Sequence, residues 1–288
     1  ILCGNVGGEN VGDNSVCNLK FEHFSHPDLH FVFPVAGTDT VKSHAVSDNF
    51  MIEWRQFLTE SPYGSLFDWL KNLGIQNKQG LIGVDEATEI NKKLSLKAYE
   101  GGYKVMIIWM ADKMNGPSAN KLLKLLEEPP AKTVFILITE STSDMLQTIL
   151  SRCQVIDFIG LSESVIADAL VSREKCDPLT AKKIAHQSEG NYNKALHILQ
   201  KEEDEYPFDE WFVEWVRSAF RAKGNAAAIN DLIAWSENIA STGRETQKQF
   251  LHYCIHFFRQ ALLLNYQAND LVFLETKVPK FELEKFAP

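Results

Sequence analysis

The sequence predicts a mixed α/β domain followed by a helical remainder. Two continuous apolar runs, KVMIIWM (104–110) and TVFILIT (133–139), have the composition of parallel strands buried on both faces. Between them lies a stretch with Ala119, Leu122, Leu123 and Leu126 at helical spacing, stopped by Pro129-Pro130. From about residue 161 the apolar residues recur with helical spacing almost to the end.

Taken in order, residues 1–25 centre on GNVGGENVGDN and read as a mobile loop. HFVFPV (30–35) has strand composition. Phe50, Trp54 and Phe57 recur at helical spacing, a Pro-Tyr-Gly turn follows, and then come Phe67 and Trp69. LIGVDEATEINKKLSLKAY (81–99) is an amphipathic helix with Ala87, Ile90 and Leu94 near one face and Asp85-Glu86 at its start. GGYK (101–104) breaks it before the first apolar run. Pro117 suits the first turn of the next helix, where its missing N–H costs nothing, and Glu127-Glu128 form a solvated end. After the second run, MLQTIL leads to Ser151-Arg152-Cys153, and QVIDFI (154–159) reads as a third strand. Ser162 caps LSESVIADALV, and two short helices join at Gly190. The charged stretch KEEDEYP (201–207) marks a boundary. Beyond it run two stripes, Trp211, Phe212, Trp215 and Phe220, then Phe250, Tyr253, Phe257 and Leu262, which suit either core or oligomer contacts.

The chain has 288 residues, enough for about two or three domains. Its net charge of −9 argues against a protein whose main work is coating DNA, because phosphate contacts need a basic face. Five scattered cysteines suit a reduced, cytoplasmic protein better than a disulfide framework. No apolar run reaches the ~20 residues of a membrane-spanning helix. The chain opens on Ile1, and ILC reads as the end of an apolar helix, so both ends are expected to continue in a longer protein. The sequence holds no Gly-Lys-Ser/Thr phosphate loop. Nor does it hold a nucleophile elbow or a convincing Ser-His-Asp or Cys-His pairing; His26 and His30 flank Asp28 in a strand-like setting that does not suit catalysis. Cys3 and Cys17, with His23, His26 and His30 nearby, fit no standard tetrahedral spacing, so zinc is not expected.

The stretch from Lys104 to Gln154, read as strand, loop, helix, Pro-Pro stop, strand, helix and Ser-Arg-Cys, resembles the AAA+ subunits of bacterial DNA polymerase III clamp loaders, and among them the delta-prime branch. The resemblance implies an AAA+ P-loop-type α/β domain truncated at its N-terminus (1–160), a helical lid (161–203) and an all-α collar that oligomerises (204–288). In that family the arginine of Ser151-Arg152-Cys153 enters the ATP site of a neighbouring subunit, where a guanidinium stabilises charge on the transferring phosphate. The strand that ends in an Asp-Glu pair in active ATPases ends here in Asp112 and Lys113, a degenerate Walker B motif. Thr139 matches the first nucleotide sensor. GNYNKAL (190–196) matches the lid motif with Asn193, followed by Lys194, where an arginine is usual.

The resemblance therefore implies a non-hydrolysing stator of the DNA polymerase III holoenzyme that helps place a sliding clamp on primed DNA. Its implied partners are the gamma/tau ATPase subunits and the delta subunit, with ATP and magnesium held by those partners rather than by this chain. Two alternatives stand beside it: the gamma/tau ATPase subunit of the same loader, and an interaction scaffold unconnected with replication.

Overall fold

The computed structural model describes residues 15–99, 102–200, 207–268, 271–272, 278, 281 and 283–286, without the side chains of 15–18, 245 and 284–285. The glycine-rich stretch 4–14, Cys3, the Cys17 side chain and most of the charged boundary 201–207 lie outside them. The chain divides into two units, Ile1–Asp157 and Phe158–Pro288. Among the described residues, no helix is long and apolar enough to cross a membrane.

The first unit contains α1 (Ser15–Glu22), β1 (Leu29–Val32), α2 (Met51–Glu60), α3 (Leu66–Asn72), α4 (Val84–Ser95), β2 (Lys104–Trp109), α5 (Gly116–Glu127), β3 (Thr133–Ile138) and α6 (Gln147–Leu150). The strands form a parallel sheet in the order β1-β2-β3, with Phe31 opposite Ile107 and Ile107 opposite Ile136. Parallel neighbours need crossover connections, which α2–α4 and then α5 supply.

Alternation along the strands divides the apolar side chains between two cores. Phe31 and Phe33 face one side, where Trp54, Phe57 and Trp69 from α2 and α3 pack with Trp109. Val32, Met106 and Ile108 face the other, against Ile90 and Leu94 of α4, Leu122 of α5 and Ile149 of α6. The indole N–H of Trp69 donates to the Pro34 carbonyl at 2.8 Å, so this buried aromatic leaves no polar atom unpaired.

Residues 15–22, expected within a mobile loop, form α1, and three further expectations need correction. The first concerns β3, which is buried on one face only: Phe135 and Leu137 join the α5 side, while Val134, Ile136 and Ile138 are exposed. Among the described residues, that other face is left open to solvent at these three positions. The second concerns QVIDFI, which is not a strand; residues 154–160 pair with no other strand, and Phe158 and Ile159 are each 92% exposed. Apolar composition alone does not make a strand when no neighbour completes its hydrogen bonds. The third concerns the helix expected from residue 81, which starts at Val84, because Leu81 and Ile82 form bridges with Val35 and Met114. Its carboxy-terminal end is held by Lys104, whose ammonium donates to the carbonyls of Leu94 and, at 2.7 Å, Leu96.

The second unit is helical among its described residues. α7 (Glu163–Glu174), α8 (Pro178–Gln187) and α9 (Tyr192–Gln200) surround Ile166, Leu170, Ile184 and Tyr192. Ser162 caps α7 by accepting the Val165 N–H. Gly190 joins α8 to α9 at φ +85°, and a Cβ there would meet Gly160 and Leu161 at 3.1–3.4 Å, so both conformation and space require glycine. The remaining helices are α10 (Phe208–Arg221), α11 (Ala226–Ser241), α12 (Arg244–Asn265) and the short α13 (Leu283–Phe286). Phe208, Trp211, Phe212, Phe250 and Phe257 form their core.

Candidate functional site

Strand β2 ends at Trp109, and the next residue, Met110, has a φ of 54° in the left-handed region, an uncommon conformation for a side-chain-bearing residue. The chain then makes one 3-10 turn, Ala111–Lys113, and enters α5 through its cap, Asn115, which accepts the Ser118 N–H. This turn places Asp112 beside the end of the neighbouring strand β3. The Thr139 hydroxyl donates to Asp112 Oδ1 at 2.8 Å and accepts the Ser141 N–H at 3.1 Å. The Lys113 ammonium forms an ion pair with Asp112 Oδ2. The Asp112 side chain has no exposed surface, and that of Lys113 is about a quarter exposed.

Both oxygens of Asp112 are therefore engaged inside the chain. Burial alone would lower the Lys113 pKa, but the hydrogen bond and charge of Asp112, with Glu140 and Asp144 nearby, hold it above the ordinary lysine value. The ammonium stays positive and balances the Asp112 carboxylate. Sequence reasoning found Asp112, Lys113 and Thr139 separately. That they form one closed cluster is a tertiary fact, since Thr139 lies 27 residues beyond Asp112.

At the other end of α5 stands Arg152, just past the short helix α6. Ile149 and Leu122 share a core and fix α6 against α5. The guanidinium donates through Nη1 to the Thr148 carbonyl at 2.7 Å and to Ser151 Oγ at 3.3 Å, and through Nη2 to Glu127. One-third of the Arg152 side chain is exposed. Glu127, expected to be merely solvated, is thus the ion-pair partner of Arg152. The 25-residue separation hid this pair from the sequence. Cys153 is half-buried, and burial raises its thiol pKa, so it serves packing better than chemistry.

The lid-motif residues belong to the second unit. Asn193 and Lys194 sit in the first turn of α9, where Asn191 accepts the Lys194 N–H at 3.0 Å. The Lys194 ammonium pairs with Glu189 at 3.3 Å, and Arg259 of α12 reaches the same carboxylate at 2.6 Å. Burial would raise the Glu189 pKa, but Lys194, Arg259 and His256 outweigh it and hold the carboxyl below its ordinary value.

The histidines near residue 26 serve local structure. His26 is buried, and its Nδ1 accepts the Asp28 N–H at 3.1 Å. Asp28 in turn accepts the Tyr99 N–H at 2.7 Å, and burial lowers the His30 pKa. Among the described residues, no three histidines, cysteines or carboxylates gather as a metal site.

Periodicity placed the aromatic stripes but did not orient them fully. On α12, Phe250, Cys254, Phe257 and Ala261 are buried, whereas Leu262, expected with them, is 57% exposed. It continues a second, largely exposed stripe, Leu251, Ile255, Leu262 and Tyr266, with Phe258, whose ring also meets Phe212 and Trp215. Phe220 likewise leaves the α10 core and is 78% exposed.

A family model described as DNA polymerase III, delta subunit, matches residues 1–162. The DNA polymerase III subunit delta' of Haemophilus influenzae is 29% identical over 173 residues, 60% of this chain and 40% of that protein. The subunit delta' of Bacillus subtilis is 35% identical over 114 residues, 40% of this chain and 34% of its own length. The tau subunit of Bacillus subtilis is 32% identical over 124 residues, 41% of this chain and 22% of its own length. The matched stretches thus span less than half of each of these relatives. A DNA polymerase III gamma subunit-related protein from Thermotoga maritima aligns with a TM-score of 0.31 at 16% identity, over 71% of this chain and 76% of that one, which is too distant to inform the fold.

Proposed function

We infer the function of this chain from one premise: it belongs to the DNA polymerase III delta-subunit family. Within that family we read it as a clamp-loader subunit of the delta-prime kind, acting in the cytoplasm as part of the polymerase III holoenzyme. It holds its place in a ring with gamma/tau ATPase subunits and a delta subunit while the sliding clamp is set on primed DNA. It does not hydrolyse ATP itself. ATP and magnesium belong to the partners, and zinc has no part in the reading.

The observation that carries this reading is the closure of Asp112. Phosphoryl transfer requires an acidic group free to hold Mg²⁺ and a second group to orient water. Here Lys113 and Thr139 engage the two Asp112 oxygens, and the residue after Asp112 carries an ammonium, which has no lone pair to orient water, rather than a carboxylate. In the second unit, Lys194 is tied to Glu189. Arg152, by contrast, stands at the surface of its unit and can be given in trans to a neighbour's ATP site. The exposed stripe of α12 supports an assembly role for a collar spanning 204–288, with a lid at 161–203 and an α/β domain over 1–160.

The similarity to a tau subunit favours a second reading, an ATPase subunit of the same loader. Both are tested by mixing the full-length protein with gamma/tau and delta subunits and measuring complex formation and ATP turnover. The delta-prime reading expects co-assembly, and no turnover by this protein alone. Turnover by the isolated protein would establish the ATPase reading. Failure to assemble would leave a scaffold unconnected with replication.

A further inference from the structure

We propose that Glu127 parks Arg152: its carboxylate holds the guanidinium against its own subunit and must release it before the arginine can meet a phosphate. The inference rests on the trans-arginine reading above and adds a regulatory residue to it. Three acceptors meet the guanidinium, and all three belong to this chain: Thr148 O and Ser151 Oγ on Nη1, and Glu127 on Nη2. Both terminal nitrogens are thus engaged at home. These contacts use three of the five guanidinium N–H donors, so a phosphate that is to be gripped through Nη1 and Nη2 together must displace a home contact.

Two of these acceptors are local and weak competitors. Thr148 is one helical turn back and Ser151 is the adjacent residue, so they orient the side chain along α6 without adding charge. Glu127 differs because it is anionic and comes from another element. It is the last residue of α5, ahead of the Pro129-Pro130 stop, and the shared core of Leu122 and Ile149 holds α5 and α6 together. The carboxylate therefore stays beside Arg152 without needing the arginine for its position.

Its strength suits a parking contact. Both side chains keep substantial contact with water, 33% for Arg152 and 48% for Glu127. Ion pairs this exposed are worth little and are weakened by salt. Such a contact can bias the arginine yet yield to a phosphate carrying more charge. Removing it should shift the population toward the free arginine by about two- to fivefold.

The test compares reconstituted loaders carrying the native chain, Glu127→Gln, Arg152→Ala or both, by primer-stimulated ATP turnover at low and high salt. Glu127→Gln keeps the shape and removes the charge. Parking predicts that it raises kcat/KM about two- to fivefold at low salt, that the gain fades as salt rises, and that it vanishes in the Arg152→Ala background. Unchanged or lowered kcat/KM at low salt, while Arg152→Ala still reduces turnover, would overturn the parking role and leave the trans-arginine reading standing. A gain that persists without Arg152 would also overturn it. If Arg152→Ala itself has no effect, the trans-arginine reading fails and the parking role falls with it. Melting curves of the Glu127→Gln chain check that it is folded.

Discussion

At the amino-terminal end of α5, Asp112 has no exposed surface, and both of its oxygens are engaged by Lys113 and Thr139. At the carboxy-terminal end, about 18 Å along a twelve-residue helix, Arg152 keeps a third of its side chain in water and is held by a still more solvated carboxylate. The first end is a neutralised pair of adjacent residues around a fully buried carboxylate. The second is a reversible contact between separate elements. The difference teaches that one α/β unit can enclose a carboxylate at one end of a helix while leaving a cation partly solvated at the other. Burial decides which charges are structural, and exposure decides which remain available to a neighbour.

The largest expected effect comes from breaking the closed end. Lys113→Ala leaves Asp112 buried without its cation and should cost on the order of 2–3 kcal/mol in urea unfolding, the low side for a buried pair because Lys113 is partly solvated. The raised Lys113 pKa adds a pH signature. Its contribution is complete below the ordinary value of 10.5 and is lost as pH rises through the higher folded value, so the native-minus-variant gap should stay constant through neutral pH and close only in strong alkali. A gap that closes near pH 7 would show that the ion pair is not its source.

A smaller effect sharpens the same end. Thr139→Val removes one donor to Asp112 while leaving Lys113 in place, and should cost about 1.5 kcal/mol, as expected for a hydrogen bond to a charged group. A larger cost for Thr139→Val than for Lys113→Ala would mean that the hydroxyl, more than the ammonium, holds Asp112 in place.

The smallest effect belongs to the open end. Glu127→Ala should change unfolding free energy by no more than about 1 kcal/mol, because exposed ion pairs contribute little to stability. A loss as large as that of Lys113→Ala would erase the contrast between the two ends.

Much of this arrangement was legible in the sequence. The apolar runs at 104–110 and 133–139 gave β2 and β3, Pro117 and Pro129-Pro130 bracketed α5, and Gly190 separated α8 from α9. Those signals are local: strand composition, helix stops and a residue that tolerates positive φ. What stayed hidden depends on partners distant in the chain. QVIDFI has strand composition but no strand beside it. Val134, Ile136 and Ile138 look as buried as their neighbours until the sheet is seen to end at β3. Leu262 follows Phe257 by five residues, about 140° round the helix, so it leaves the buried face of α12 and joins a second apolar face. At the site, Asp112 and Lys113 were legible as residue types, whereas the Glu127 contact required α5 and α6 to be packed together.

The most direct test of the central claim is primer-stimulated ATP turnover by a loader reconstituted with Arg152→Ala. A trans-acting arginine contributes roughly 10³–10⁵ in turnover at the site it serves. The account predicts an intact complex with clearly reduced turnover, partial because the loader has other sites. An intact complex with unchanged turnover would contradict it and leave Ser151-Arg152-Cys153 as the end of a helix.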